Sequence, residues 1–323
     1  SNSSTVRQHL PFIFLTSNTD TQQAIVLIKE GADDFVNKPF EVGELVFRIR
    51  RTIKEKQNQR AIDLFNTRLA KDLEAAARLQ RTLLPKPLTE VHDVNFGWIF
   101  NPCDEIGGDL FNIFKLDNEH LGIFFIDVSG HGVSSALFSF ALSKILSPLP
   151  DQSSLFREYA ENPDSASILP PGEVAKHLNN RFPLDTETEQ YFTLLYGILD
   201  RKSQEFHYVS AGHPGIVYHA YNSSPRIISV ASPPIGFIPG FEYQEKIIPL
   251  SSGDRLYIYS DGIVEAGNNK NQLFGEKGLT KALAESRNSP LKDTLQFLIN
   301  GLNQWLGQTK AEDDISILGI EIV

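Results

Sequence analysis

The sequence has a single cysteine, Cys103, and no methionine in its 323 residues. A lone thiol excludes an internal disulfide framework and any cluster built from several zinc thiolates. It is consistent with a reducing compartment, so the cytoplasm is the expected location. Without methionine, Ser1 is expected to be a processed or engineered start. No apolar run approaches the roughly 20 residues that a bilayer-spanning helix needs, and Ser1-Asn2-Ser3-Ser4 lacks a cationic-then-apolar leader pattern. No membrane partner is therefore expected. Basic residues are also scarce: 30 Lys and Arg against 40 Asp and Glu leave a net charge of -10. No basic stripe offsets that charge, so phosphate backbones would be repelled and no nucleic-acid partner is expected. The remainder, 41% hydrophobic and 22% charged, is ordinary for globular protein and is long enough for one large domain plus a smaller one.

What is present is a series of acidic clusters: Gly107-Gly108-Asp109, Asp127-Val128-Ser129-Gly130-His131-Gly132, Ser260-Asp261-Gly262 and Asp313-Asp314-Ile315-Ser316. Each borders an apolar, strand-like run. Asp127 ends Gly122-Ile123-Phe124-Phe125-Ile126, and Asp261 follows Leu256-Tyr257-Ile258-Tyr259. A carboxylate at a strand end, beside glycines that allow close backbone approach, suits a hard cation such as Mg²⁺ or Mn²⁺. Taken singly, an Asp beside Gly is an ordinary turn. Four of them at separate strand ends point to an oxygen-rich cage.

Residues 11–53 read as strand, helix, strand, helix: Pro11 to Leu15, Thr21 to Glu30 closed by Gly31, Asp34-Phe35-Val36, then Val42 onward. Thr16, Gly31-Ala32-Asp33-Asp34-Phe35 and Lys38-Pro39-Phe40 resemble the second half of a two-component response-regulator receiver domain. The resemblance implies that Thr16 and Lys38 switch with an aspartyl phosphate and that the Lys38–Pro39 bond is cis. It also implies that the phosphoacceptor strands lie upstream of Ser1. Asp33 and Asp34 are then polar turn residues rather than acceptors.

Between Val42 and Leu84 the apolar residues Leu45, Ile49, Ile53, Ile62, Phe65, Leu69, Leu73, Ala76, Leu79 and Leu83 recur at three- and four-residue steps, and Pro85 and Pro87 end the pattern. A helix of that length reaches about 60 Å and reads as a coiled-coil linker or as a single helix packed along its own domain. The remainder alternates short strands with helices at Val133 to Leu146, Gly172 to Arg181, Glu276 to Ala284 and Pro290 to Leu306. The expected fold is an α/β receiver fragment (residues 1–53), a long linker helix (54–90) and an α+β domain (91–323) whose two-sheet β-sandwich is flanked by helices, αββα. The Ser-, Pro- and Asp-rich stretch Pro148 to Pro171 is expected to be a surface loop.

From about Asn95 to Val323, the acidic motifs together with Ala211-Gly212-His213-Pro214 and Pro233-Pro234-Ile235-Gly236 resemble the metal-dependent type 2C protein serine/threonine phosphatases (PPM), in their bacterial SpoIIE-like, sigma-factor regulatory branch. The resemblance implies a centre of two Mn²⁺ or Mg²⁺ ions held by Asp109, Asp127, Asp261 and Asp313, with the Val128 carbonyl as a further ligand and Asp314 as an outer one. Such a pair of ions activates water for attack on a phosphoserine or phosphothreonine. The implied substrate is a phosphoprotein, an anti-sigma-factor antagonist. His131 is a candidate proton donor to the leaving oxygen, or a helix cap, and His213 is expected to fix a loop. Asn112 stands where many relatives carry a second aspartate, and no arginine accompanies Asp109. Cys103 lacks the arginine surroundings of a thiol phosphatase and is read as a packed thiol. Two other readings are a non-catalytic scaffold gated by phosphorylation and a diguanylate cyclase suggested by Gly107-Gly108-Asp109. The latter leaves Asp261 and Asp313 unexplained. The receiver remnant and the linker helix together imply a homodimer.

Overall fold

The computed structural model describes residues 11–17, 26, 28–147, 155–158, 167–184 and 190–323. The chain divides into two compact units, 1–74 and 75–323. In the first, β1 (Ile13–Thr16) and β2 (Asp34–Asn37) pair in parallel with Ile13 opposite Asp34. The Lys38 N–H donates to the Thr16 carbonyl at 2.7 Å, and the Lys38–Pro39 peptide is cis. Most of the helix expected at Thr21 to Glu30 lies outside the described residues. Helix α1 (Val42–Arg81) begins in this unit, and the boundary at Glu74 falls inside it. Arg48 meets Asp34 at 3.1 Å and Lys56 meets Asp33 at 2.5 Å, so both acidic turn residues are paired.

α1 stops at Arg81, three residues before the expected Leu84. Its carbonyls at Leu79 and Gln80 accept from Thr82 and Leu83, an i to i+3 tightening of the last turn, and Pro85 then prevents continuation.

The second unit is built on two five-stranded sheets. One contains, in order, β11 (Arg226–Ile228), β10 (Ile216–His219), β13 (Arg255–Tyr259), β14 (Ile315–Ile322) and β3 (Val94–Asn101). The other contains β12 (Lys246–Pro249), β9 (Glu205–Ala211), β8 (Phe192–Asp200), β5 (His120–Val128) and β4 (Leu110–Lys115). Every pairing within the two sheets is antiparallel. Phe111, Ile113, Ile123, Phe125, Leu256, Ile258, Leu318 and Ile320 fill the space between them.

Helices cover both outer faces. α2 (Val133–Ile145) and α3 (Pro171–Arg181) pack on the β5–β8 sheet through Leu142, Val174 and Leu178. The short α4 (Asp261–Val264), α5 (Gly275–Glu285) and α6 (Leu291–Leu306) pack on the β13–β14 sheet. Leu291, Leu295, Leu298 and Leu302 recur at helical spacing on α6 and are buried, each contributing about 1.5–3 kcal/mol. Central strands β5 and β14 are covered on both faces, which is why their sequences are apolar runs rather than alternations.

Further details differ from expectation, the short helix α4 among them. β12 is an unforeseen edge strand: Ile248 is buried, Ile247 is exposed, and Pro249 closes it where a missing N–H is tolerated. Within the stretch expected as loop, β6 (Arg157–Glu158) and β7 (Ser167–Ile168) form a two-residue ladder, while much of that stretch lies outside the described residues. Among the described residues no helix is long and apolar enough to cross a membrane.

Candidate active site

The acidic clusters converge because both sheets end at the same place. In one, Leu110 pairs with Ile126 across β4 and β5, so one further step of the register sets Asp109 opposite Asp127. In the other, Tyr259 pairs with Ile317, the Ser260 N–H donates to the Ser316 carbonyl at 3.0 Å, and Asp261 follows while Asp313 and Asp314 precede the next strand. Alternating side-chain direction puts Asp109 on the inner face of β4 with Phe111 and Ile113. Asn112, on the opposite face, donates to the Leu83 carbonyl at 3.4 Å, so this departure from the family pattern points away from the cluster.

Asp314 ties the cluster together. Its Oδ1 accepts from the Cys103 N–H at 2.9 Å, and its Oδ2 accepts from the N–H groups of Gly108 at 2.7 Å and Asp109 at 3.3 Å. A β-carbon on Gly107 would lie 2.2 Å from that Oδ2, and one on Gly262 would lie 2.2 Å from the Asp314 carbonyl oxygen. Both glycines are therefore needed for close approach rather than for flexibility. A β-carbon on Gly108 would lie 2.8 Å from the Val128 carbonyl oxygen, so that carbonyl faces the Gly-Gly-Asp loop. Gln80, buried near the end of α1, clasps the same loop: its Nε2 donates to the Gly107 carbonyl and its Oε1 accepts from the Gly107 N–H.

The Asp109 carboxylate is 1% exposed, and neither of its oxygens has a hydrogen-bond partner. The Ser260 and Ser316 hydroxyls lie close enough to favour its ionised form slightly. Neither bonds it in good geometry, and that of Ser260 goes to the Asp314 carbonyl. Burial, then the charges of Asp127 and Asp314, push Asp109 well above the usual carboxylate range. Asp127 is pushed up to about 8 by burial, then by Asp261 and Asp313. Asp261 is raised by burial and then by Glu265, and its buried Oδ1 has no partner. Asp313 is raised by burial and by Asp261 and Asp314. Native proteins satisfy buried polar atoms, so a fully buried carboxylate with both oxygens idle beside other acids calls for a cation. The donor set is all oxygen, which fits hard Mg²⁺ or Mn²⁺.

His131 is exposed at the rim, with Nδ1 3.0 Å from the Asp104 Oδ2. His213 is buried, shares a hydrogen bond with the Thr193 hydroxyl at 3.0 Å, and is pushed down to about 3 by burial. It is a neutral core group beside Phe125. Cys103 is partly buried, and its thiol is pushed up to about 12 by burial and by Asp314, which makes it a poor nucleophile. Glu265, Gln80 and Asp104 were not singled out from the sequence. Glu265 follows Asp261 by one helical turn, a legible spacing, whereas nothing in the sequence distinguishes Gln80 or Asp104 from surface residues. An open groove of about 630 Å³ runs beside Asp313, lined by Gly262, Glu265, Asn268, Leu273 and Lys310.

Comparison with known proteins gives the fold and the family. The second unit has the fold of a PP2C phosphatase domain: it is similar to the SiaA-PP2C domain of Pseudomonas aeruginosa, with a TM-score of 0.65 at 18% identity over 80% of this chain and 98% of that one. Residues 117–323 match the model of the family described as Stage II sporulation protein E (SpoIIE), and the chain belongs to that family. It is 27% identical over 255 residues to phosphoserine phosphatase RsbP of Bacillus subtilis (strain 168), a match spanning 79% of this chain but 59% of RsbP. Its N-terminal end is similar to response regulator ArlR of Staphylococcus saprophyticus, 34% identical over 65 residues, which is 20% of this chain and 30% of ArlR.

Proposed function

We propose that this chain is a divalent-metal-dependent phosphatase acting on phosphoserine or phosphothreonine of a regulatory protein, an anti-sigma-factor antagonist, in the cytoplasm. The observation that carries the reading is the Asp109 carboxylate, buried with both oxygens unpartnered among Asp127, Asp261 and Asp313. Those four, with the Val128 carbonyl, would hold two Mn²⁺ or Mg²⁺ ions. Asp314, with both oxygens taken by backbone N–H groups, serves first to pin the loops. The ions, when bound, supply an acidified solvent molecule as nucleophile and offset charge on the phosphoryl group.

The protein's own groups do the rest. Gln80 and Asp314 both hold the Gly107–Asp109 loop, Gln80 at Gly107 and Asp314 at the Gly108 and Asp109 N–H groups, and Gly262 allows the Asp314 backbone to approach Asp261. Asp104, accepting from His131 Nδ1–H, leaves Nε2 to carry the proton that the departing serine oxygen takes. The groove beside Asp313 gives the polypeptide around the phosphoserine a place to lie. With the purified chain, Mn²⁺-stimulated hydrolysis of an aryl phosphate and of a phosphoserine protein is expected, and Asp127→Asn should abolish both. Wild-type turnover by that variant would refute the assignment.

We read residues 1–53 as the second half of a receiver, 54–90 as the linker and 91–323 as the phosphatase domain. The parallel β1–β2 pair and the likeness to ArlR support the first of these. Ile62, Phe65 and Leu69 are exposed on α1 at heptad-compatible spacing, which supports a homodimer formed through the helix that carries receiver state to the phosphatase. Light scattering should show a dimer that Phe65→Asp with Leu69→Asp converts to a monomer. A wild-type monomer at micromolar concentration would remove this part of the proposal.

A further inference from the structure

The rim of the carboxylate cluster carries donors of a different chemical kind. One atom each from Cys103, Asp104 and His131 lies within 4.8 Å of the other two. Cys103 and Asp104 follow β3, on the loop that leads to Asp109, and His131 lies on the loop between β5 and α2 that follows Asp127. The two loops already touch here. His131 Nδ1 is 3.0 Å from Asp104 Oδ2, and a β-carbon on Gly132 would lie 3.5 Å from that same oxygen. The Cys103 backbone is fixed by its N–H donating to Asp314.

We propose that Cys103, Asp104 and His131 form a second, softer cation site, for a borderline ion of the Zn²⁺ class, at the entrance to the hard-metal centre. Sulfur, imidazole nitrogen and one carboxylate make a zinc donor set, and Mg²⁺, which selects oxygen, has no use for the first two. Zn–S and Zn–N bonds of about 2.3 and 2.0–2.1 Å set tetrahedral donors roughly 3.5 Å apart, so the trio closes with a movement of about 1 Å by its two exposed members, Asp104 and His131. The sulfur–cation bond forms as the thiol proton leaves to solvent. Three protein ligands leave a fourth position for water.

Cys103 is also within 4.8 Å of Asp313 and Asp314. It is the vertex shared by the soft trio and the oxygen cluster, and the experiment must separate the two. Occupancy would bridge the loops that carry Asp109 and Asp127 and withdraw His131 from proton transfer. That inhibitory consequence rests on the phosphatase reading, whereas the site itself does not.

The test uses the full chain in excess Mg²⁺, which fills oxygen sites and leaves sulfur free, and titrates it with Co²⁺. A near-ultraviolet thiolate-to-cobalt charge-transfer band is expected, saturating at one equivalent and displaced by Zn²⁺. Cys103→Ser should abolish it. His131→Ala and Asp104→Asn should each weaken Co²⁺ binding by roughly 10–100-fold, as loss of even an outer-shell partner does. Asp261→Asn should leave the band intact, and circular dichroism checks that each variant is folded. Absence of a sulfur band from the folded wild type overturns the proposal. So does a band that survives His131→Ala and Asp104→Asn but is lost in Asp261→Asn, since the thiol would then serve the oxygen cluster. If the band appears as described but no Mn²⁺-stimulated hydrolysis is found, the soft site stands and the phosphatase reading fails.

Discussion

Gln80 and Gly107 exchange two hydrogen bonds, at 2.6 Å from Nε2 to the carbonyl and 3.2 Å from the N–H to Oε1, in a buried setting. The amide of one side chain thereby satisfies both backbone groups of the residue that starts the Gly-Gly-Asp turn. Gln80→Ala would leave that N–H and carbonyl unpaired, at about 1–3 kcal/mol for each buried orphan. The expected outcome is a loop that presents Asp109 less precisely. The Mn²⁺ concentration for half-maximal activity should rise about tenfold or more, and Tm should fall by several degrees. A metal titration of activity, run beside a thermal melt, checks both.

The clustered acids make metal-free stability depend on pH in a defined direction. Asp127, pushed up to about 8 in the folded protein, is protonated there over a range in which the unfolded chain has already ionised. The folded state then binds more protons than the unfolded one, so stability falls as pH rises from about 4 and levels off above about 8. Asp109, Asp261 and Asp313 are shifted in the same direction and add to the slope. Urea midpoints measured across this range in a chelator should decline. Excess Mn²⁺ should flatten the decline, because bound cations favour the ionised forms. Asp109→Asn should raise the chelated midpoint at neutral pH while removing activity.

Two glycine classes should respond with opposite signs. Gly107→Ala and Gly262→Ala each drive a β-carbon to 2.2 Å from an Asp314 oxygen, side chain in the first case and backbone in the second. Overpacking of this kind costs about 1–3 kcal/mol, and here it also displaces the residue that pins three backbone N–H groups. Gly301, inside α6, has open space within 4 Å of where a β-carbon would stand and no left-handed backbone requirement. Gly301→Ala should stabilise by about 0.5–1 kcal/mol through helix propensity alone. Denaturant midpoints for the three variants should fall on opposite sides of wild type.

The sandwich was legible because the central strands β5, β13 and β14 announce themselves as apolar runs and α6 as a leucine stripe. The ends of β5, β13 and β14 could be read from Asp127, Asp261 and Asp313 because a carboxylate terminates an apolar run visibly. β12 was not legible: four residues with a proline carry too little pattern, and its pairing with β9 is a tertiary choice. The family resemblance set Asp314 apart from Asp313 as an outer ligand, but its pinning role was not legible, since it appears only when the fold buries Asp314 against the N–H groups of Cys103 and Gly108. Gln80 and Asp104 were silent for the same reason, because their partners are distant in sequence and neither residue type is unusual where it stands.

His131 and Asp104 set up a test of proton transfer that depends on the leaving group. A phenolate departs readily without a proton, whereas a serine alkoxide does not, so a proton donor matters mainly for the second. With Nδ1 held at 3.0 Å from the Asp104 carboxylate, Nε2 is the nitrogen of this exposed imidazole left to hand over a proton. General acid catalysis contributes about 10²–10⁴-fold. His131→Ala should therefore lower kcat for a phosphoserine protein by about that factor and change aryl phosphate turnover by much less. Asp104→Asn should give a smaller loss with the same selectivity. Equal losses on both substrates would instead place His131 in metal or loop positioning.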